Sequence, residues 1–292
     1  MLQEKYINPF TDFGFKKLFG EEPNKDLLIN FLNQFLPEIH QIKELSYAKN
    51  ERLTESVFER RSIFDVYCIG ENGERFVVEV QKAKQNFFKD RSVYYSTFPI
   101  QEQALKGDWD YKLAPVYMVG ILDFVFPEDR DNPDVIHKVQ LKNQKNQVFY
   151  DKLMYIYLTM PNFKKTESEL ETMQDKWLYV FRHLPDLEAK PKKFQEKVFS
   201  KLFNVAALAK LNREDRDKYE AGLKSYRDAY AIQKTAEDEA RTQGFDTGFD
   251  SGFDKGIEQE KLAIARNLKK LNVSTADIAK ATGLTVEEIN KL

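Results

Sequence analysis

Two short, largely apolar segments, Ile63 to Ile69 and Arg75 to Gln81, flank the turn signal Glu71-Asn72-Gly73-Glu74, and each contains one acid, Asp65 in the first and Glu79 in the second. β-Branched and aromatic residues on both sides of an Asn-Gly pair predict a β-hairpin. Its register decides what the two acids can do. A two-residue Asn72-Gly73 loop would set Glu71 against Glu74 and Asp65 against Val80, sending Glu79 to the opposite face. A three-residue loop, Glu71-Asn72-Gly73 with Gly73 left-handed in a G1 bulge, sets Gly70 against Glu74 and Asp65 against Glu79, with Cβ atoms within about 5.5 Å. The second register gathers Phe64, Val66, Cys68, Phe76, Val78 and Val80 on one apolar face and leaves Asp65, Tyr67, Arg75, Glu79 and Gln81 on the other. A one-residue slip would mix the two sets, so the burial pattern selects the bulged turn.

An acid inside an apolar strand needs a partner. Apart from Arg75 at the far end, neither strand offers Arg or Lys at a matching inward position. A divalent cation accepts two carboxylates at once, and Mg²⁺ suits the pair because it takes one or two protein carboxylates and keeps waters for phosphate chemistry. The other reading is that Glu79 faces solvent on a half-exposed strand. Cys68, with apolar neighbours and no histidine nearby, reads as a small buried residue and not as a nucleophile.

The flanking sequence predicts the order α-β-β-β-α-β. Asp12 to Phe19, closed by Gly20, reads as a short helix, and a longer one after Pro23 carries Leu27, Leu28, Phe31, Leu32, Phe35 and Leu36 as an apolar stripe. Ile42 to Ala48 reads as the first strand. Asn86 to Lys106 reads as an aromatic-rich helix kinked at Pro99, and Ala114 to Phe124 as a strand buried on both faces. Val135 to Leu141 and Lys152 to Thr159, on either side of a turn-rich segment, extend the sheet. From Lys164 to Ala240 the pattern is helical: Phe194, Val198, Phe199, Leu202, Phe203, Ala206 and Ala207 form one stripe, and a long charged helix begins at Asn212.

Composition narrows the classes. With 45 Lys+Arg against 47 Asp+Glu the chain has a net charge of −2, so a nucleic-acid site must be a local patch and not a global basic field. One cysteine excludes an internal disulfide, and three scattered histidines offer no zinc spacing. No apolar run reaches the roughly 20 residues that span a bilayer, and MLQEKYINPF lacks the features of a signal peptide, which makes a cytoplasmic location the expectation.

Asp65, the pair Glu79-x-Gln81 and the element order together resemble the PD-(D/E)xK nuclease superfamily and, more narrowly, the Rpn family of recombination-promoting nucleases, or transposases. The run Asp12-Phe-Gly-Phe-Lys16-Lys17-Leu-Phe19, the run Arg91-Ser-Val-Tyr94-Tyr95, the segment Asp175-Lys-Trp177-Leu-Tyr179 and the period-four glycines are similar to that family as well. The resemblance implies an α/β, restriction-endonuclease-like core, a mixed sheet flanked by helices, with a helical C-terminal region. It also implies a metal-dependent DNA endonuclease that promotes recombination, using Mg²⁺ or alternatively Mn²⁺. Asp65 and Glu79 would ligate the ion, with the main-chain carbonyl of Val80 as a third ligand. Gln81 stands where the superfamily usually has lysine, so the attacking water would be held by an uncharged amide. Lys82 should point to the opposite face of the strand.

Arg91 and Tyr95, at i and i+4 on their helix, can present a cation and a hydroxyl to a DNA phosphate, with Tyr94 packed in the core. Lys16 and Lys17 can touch backbone phosphates, or be solvated on a short surface helix. The rival function is a catalytically weak nuclease-fold scaffold that acts through protein or DNA binding by its helical C-terminal part.

That part changes composition abruptly at Gly244. The segment GFDTGFDSGFDKG places Gly244, Gly248, Gly252 and Gly256 at i, i+4 spacing, which permits close approach of helices, and its aspartates exclude a membrane span. It reads as a flexible connector or, preferably, as a self-association helix giving a homo-oligomer. Capping boxes at Ser274 and Thr285 predict a small helical tail with helix-turn-helix spacing. Glu287 and Glu288 in its second helix disfavour DNA reading and favour a protein contact. The domains expected are a nuclease core over residues 1–160, a packed helical extension over 161–240, the glycine repeat over 241–257 and the tail over 258–292.

Overall fold

A computed structural model of the chain describes residues 4–48, 64–83, 87–104 and 110–292. The expected strand start at Ile63 and the expected helix ends at Asn86 and Lys106 lie outside the described residues. The chain divides into two compact units, Met1–Ala231 and Ile232–Leu292.

In the first unit, helices α1 (Asp12–Phe19) and α2 (Lys25–Asn33) precede strands β1 (Leu45–Tyr47), β2 (Val66–Gly70) and β3 (Arg75–Gln81). Helix α3 (Phe88–Gln101) leads to β4 (Val116–Leu122), and a hairpin of β5 (Ile136–Lys142) and β6 (Val148–Thr159) completes the sheet. Helices α4 (Met173–His183), α5 (Lys197–Ala206) and α6 (Arg213–Lys270) follow, so the α-β-β-β-α-β order is present. The six strands lie in the order β1-β2-β3-β4-β6-β5. β1, β2 and β3 pair antiparallel, β3–β4 and β4–β6 are parallel, and β5 is an antiparallel edge. This is the mixed sheet flanked by helices that the resemblance implied.

Every residue of β4 is buried, as its unbroken apolar run requires of a central strand. One sheet face, carrying Val66, Cys68, Phe76, Val78 and Val80, joins α1, α2, α4 and α5 in the main core. There the Phe19 and Phe181 rings stack at 5.5 Å, and the Trp177 indole N–H donates to Asn30 Oδ1 at 2.8 Å. Gly14 is required at the start of α1, because a Cβ there would lie 2.1 Å from the Asn8 carbonyl oxygen. The opposite face carries Tyr67, Val77, Met118, Leu122, Tyr155 and Tyr157, and Phe88 of α3 packs on it.

One expectation needs correction. Phe64 belongs to the second face, with Tyr67 and Val77, and not to the Val66–Cys68 face. The ladder begins only at Val66, so strand alternation does not govern the residues before it. Pro99, where a kink is expected, lies buried two residues before α3 terminates at Gln101, where few helical hydrogen bonds remain to be lost.

In the second unit, α6 includes the whole glycine repeat, and α7 (Thr275–Thr282) and α8 (Val286–Asn290) follow. Ala265, Ile278 and Ile289 form a small core. The expected caps are present: Ser274 Oγ accepts from Asp277 N–H at 3.2 Å, and Thr285 forms a reciprocal capping box with Glu288. Gly283 closes α7 at φ +74°. No helix among the described residues is long and apolar enough to cross a membrane.

Candidate active site

The site begins with the turn. Gly73 adopts φ +86°, Gly70 N–H donates to the Glu74 carbonyl at 2.8 Å, and Gly73 N–H to the Gly70 carbonyl at 3.1 Å. The strands then pair as Ile69–Arg75, Cys68–Phe76, Tyr67–Val77 and Val66–Val78. This is the bulged register. The ladder stops at Val66–Val78, and Asp65, the residue before it, comes close enough to Glu79 for the two charges to act on each other.

Asp65 lies just outside β2, and its carboxylate takes over the ladder there: Oδ2 accepts from Val80 N–H at 2.7 Å. In an extended strand the N–H and C=O of one residue point to the same side, so the Val80 carbonyl faces the Asp65 side as well. Glu79 is only 5% exposed, and Gln81 Nε2 donates to Glu79 Oε2 at 3.2 Å. Behind them, Gly120 is the β4 partner of Glu79, and a Cβ on it would come within 2.9 Å of the Tyr157 ring. Lys82 has its Nζ 6.0 Å from the ring centroid of Tyr226, a residue packed against the other face.

Burial, followed by the Asp65 charge, pushes the Glu79 carboxyl up to about 8. Asp65 is also raised, by burial first, against the opposing pull of its Val80 hydrogen bond. The positive charges that counter these shifts are Arg91 and Lys16. The strands hold no cation beside the acids, and the fold brings two from helices. The Arg91 guanidinium lies 5.2 Å from the Phe88 ring and 5.6 Å from the Tyr95 ring. Burial and the Glu79 charge hold the Tyr95 hydroxyl above its usual range.

Tyr94 is not in the core. It is 61% exposed, its ring edge-on to Phe98 at 5.1 Å, whereas Tyr95 packs on Phe64 at 5.4 Å. The two lysines of α1 part company as well. Lys16 pairs with Asp12 at 2.8 Å, and Lys17 is held by Glu21 at 3.0 Å and Asp215 at 3.1 Å. A cleft of about 380 Å³ opens beside Asp65, lined by Phe13, Lys16, Lys17 and Tyr47 and, from α6, Asp215 and Lys218. The α6 wall is absent from the sequence reading, because no local pattern reports a contact 198 positions away.

Among the described residues no group of three or more His, Cys, Asp or Glu side chains is gathered. Buried Glu79 and half-buried Asp65, with a carbonyl on the same side, nevertheless fit a divalent ion, above all one that accepts one or two carboxylates and completes its shell with water.

The remaining motif is structural. Asp175 sits at N3 of α4 and accepts from Lys165 Nζ at 2.8 Å and from the N–H groups of Glu171 and Thr172, each at 3.1 Å. Burial raises its carboxyl, but these partners outweigh burial and the net shift is downward.

A mixed sheet whose antiparallel hairpin brings half-buried Asp65 beside buried Glu79 marks the class of protein. The family described as PD-(D/E)XK nuclease family transposase matches residues 9–236, and the chain belongs to it. The match takes in α1, the hairpin, α3 and α4, and ends before the glycine repeat. No curated protein and no solved structure matches the chain.

Proposed function

We propose that the protein is a divalent-metal-dependent DNA endonuclease of the recombination-promoting Rpn type. The observation that carries this reading is the bulged hairpin, which brings half-buried Asp65, accepting from Val80 N–H, beside buried Glu79. Asp65, Glu79 and the Val80 carbonyl would hold the ion, with Mg²⁺ as the natural choice and Mn²⁺ the alternative. A bound divalent cation supplies an acidified water and offsets phosphoryl charge.

The chain's own residues do the rest. Gln81 donates one amide proton to Glu79, which fixes its side chain and leaves the second N–H and the carbonyl oxygen to orient the attacking water. Arg91 and Lys16 are the cations that sense both acids, so a phosphate at the site meets positive charge despite the missing lysine. Tyr95, stacked beside Arg91, adds a hydroxyl. Lys17, held by two acids, contributes less, because its charge is already compensated.

In the C-terminal unit the reading is self-association. Phe245, Phe249 and Phe253 form an exposed ladder with rings 6.3 Å apart, beside glycines whose added Cβ atoms would meet nothing within 4 Å. A second copy would cover this surface. The acids of α8 argue against DNA reading by the tail, since Glu288 is committed to its own helix cap.

The test is plasmid nicking with Mg²⁺ by the unmodified protein beside Asp65→Ala and Glu79→Ala. Cleavage by the first and none by the others is expected. Equal cleavage by all three would remove these residues from the mechanism, and no cleavage by any would leave the scaffold reading.

A further inference from the structure

The β5–β6 hairpin outgrows the sheet. Pairing of β6 with β4 begins only at Leu153, opposite Val116, so Val148 to Lys152 and the β5 residues facing them extend past the four other strands. Two register shifts, between Gln140 and Leu141 and between Leu141 and Lys142, bend this arm as it leaves. Its tip is firmly built. Asn143 N–H donates to the Gln147 carbonyl at 2.9 Å, Asn143 Oδ1 accepts from Lys145 N–H at 2.9 Å and Gln147 N–H at 3.1 Å, and Asn146 takes the left-handed conformation at φ 60°. At its base Lys152 Nζ donates to the Leu113 carbonyl at 2.9 Å.

Charge sets the arm apart. Residues 136–152, the arm together with the edge strand that leads into it, hold Lys138 on that edge, opposite Ile156, and Lys142, Lys145 and Lys152 against the single acid Asp151, a net charge of +3 in a chain whose total is −2. The remainder of the chain is therefore at −5. Lys138, Lys142 and Lys145 are exposed and form no ion pair among the described residues, whereas Lys17 is held by two acids. Beside the arm's lysines stand exposed apolar side chains, chiefly Phe149 at 79% exposure. A projecting two-stranded ribbon has the width that the roughly 12 Å major groove of B-DNA admits.

We propose that this arm is a second DNA contact, a basic β-ribbon that grips the duplex away from the site of chemistry. The inference rests on the nuclease reading for the identity of its ligand. Glu79 lies level with Tyr157 across β4, and Val148 lies nine residues earlier on the same strand. At about 3.3 Å per residue the arm is some 30 Å from the acids, close to one turn of B-DNA. The arm therefore supplies affinity and orientation, while Asp65 and Glu79 carry the chemistry.

The experiment is equilibrium binding of the full chain, in EDTA, to a fluorescent mixed-sequence duplex of about 30 base pairs over a range of KCl, where each phosphate contact contributes about 0.9 to the slope of log K against log salt. The triple variant Lys138→Gln, Lys142→Gln, Lys145→Gln should keep its circular dichroism and melting temperature, as expected for exposed unpaired side chains. Its slope should fall by more than about one unit, toward the 2.7 or so that three lost contacts give. A smaller fall with a duplex-binding unmodified protein overturns the proposal. If, in addition, Phe149→Ala alters the sedimentation of the protein, the arm is a contact between copies instead. An unmodified chain that binds no duplex overturns it too. Failure of the nuclease reading is seen separately, as an absence of metal-dependent nicking.

Discussion

Two buried acidic sites in this protein are built in opposite ways. Asp175 has a partner for nearly every lone pair, a lysine and two backbone N–H groups, and its carboxyl is stabilised in the charged form. Asp65 and Glu79 face each other with one backbone N–H and one amide between them, and both carboxyls are pushed toward the neutral form. The first arrangement stabilises the fold. The second has few partners for raised carboxyls, and it is the pair on which the proposed function rests. The contrast teaches that desolvation acts on both sites and that the supply of partners decides the direction of the net shift.

The largest effects should come from exchanging the two roles. Asp65→Ala or Glu79→Ala should reduce metal-dependent cleavage to background, while the melting temperature in metal-free buffer stays unchanged or rises, because one of two repelling acids is gone. Asp175→Ala should do the reverse. Loss of the cap and of the partners it satisfies costs about 1–3 kcal/mol, measured by urea unfolding, with cleavage per folded molecule retained. A destabilised Asp65→Ala beside an unaffected Asp175→Ala would break the comparison.

Gln81→Ala should slow cleavage by about 10- to 100-fold while sparing metal affinity, as expected for a group that supports ligands without being one. Equal loss of metal binding would make Gln81 part of the ion's shell.

A smaller effect sharpens the same contrast. With its folded carboxyl at about 8, above the usual carboxylate range, Glu79 binds a proton in the folded state that it has lost in the unfolded state. Metal-free stability should therefore fall as pH rises from about 4.5 to about 8, by less than the 1.4 kcal/mol per pH unit of a single independent group. Glu79→Gln should flatten that slope. Asp175, with a lowered carboxyl, contributes stability that is lost only as pH falls into the acid range. Smallest of all, deleting everything after Ala240 should leave a folded, cleaving core with a reduced association state by sedimentation.

The hairpin register was legible in the sequence because everything that sets it is local: an Asn-Gly turn, a glycine able to take positive φ, and acids whose parity must agree with the apolar face. The β4 run was legible for the same reason. Legibility ended where phase or distance mattered. Phe64 defied alternation because it precedes the ladder. Tyr94 and Tyr95 are adjacent on a helix that is aromatic on several sides, so sequence alone could not fix which of them faces the sheet. Arg91, Lys16 and the α6 wall of the cleft reach the acids through packing between distant segments, and only the folded chain brings them together.

The claim that Asp65 and Glu79 form an under-partnered pair awaiting a cation is tested most directly by thermal unfolding of the full chain with and without Mg²⁺ or Mn²⁺, beside Asp65→Ala. Binding to the folded state alone stabilises by RT ln(1 + [L]/Kd), about 2.7 kcal/mol at a hundredfold excess over Kd. The account predicts a metal-dependent rise in melting temperature for the unmodified protein and none for the variant. An identical rise in both, or none in either, would contradict it.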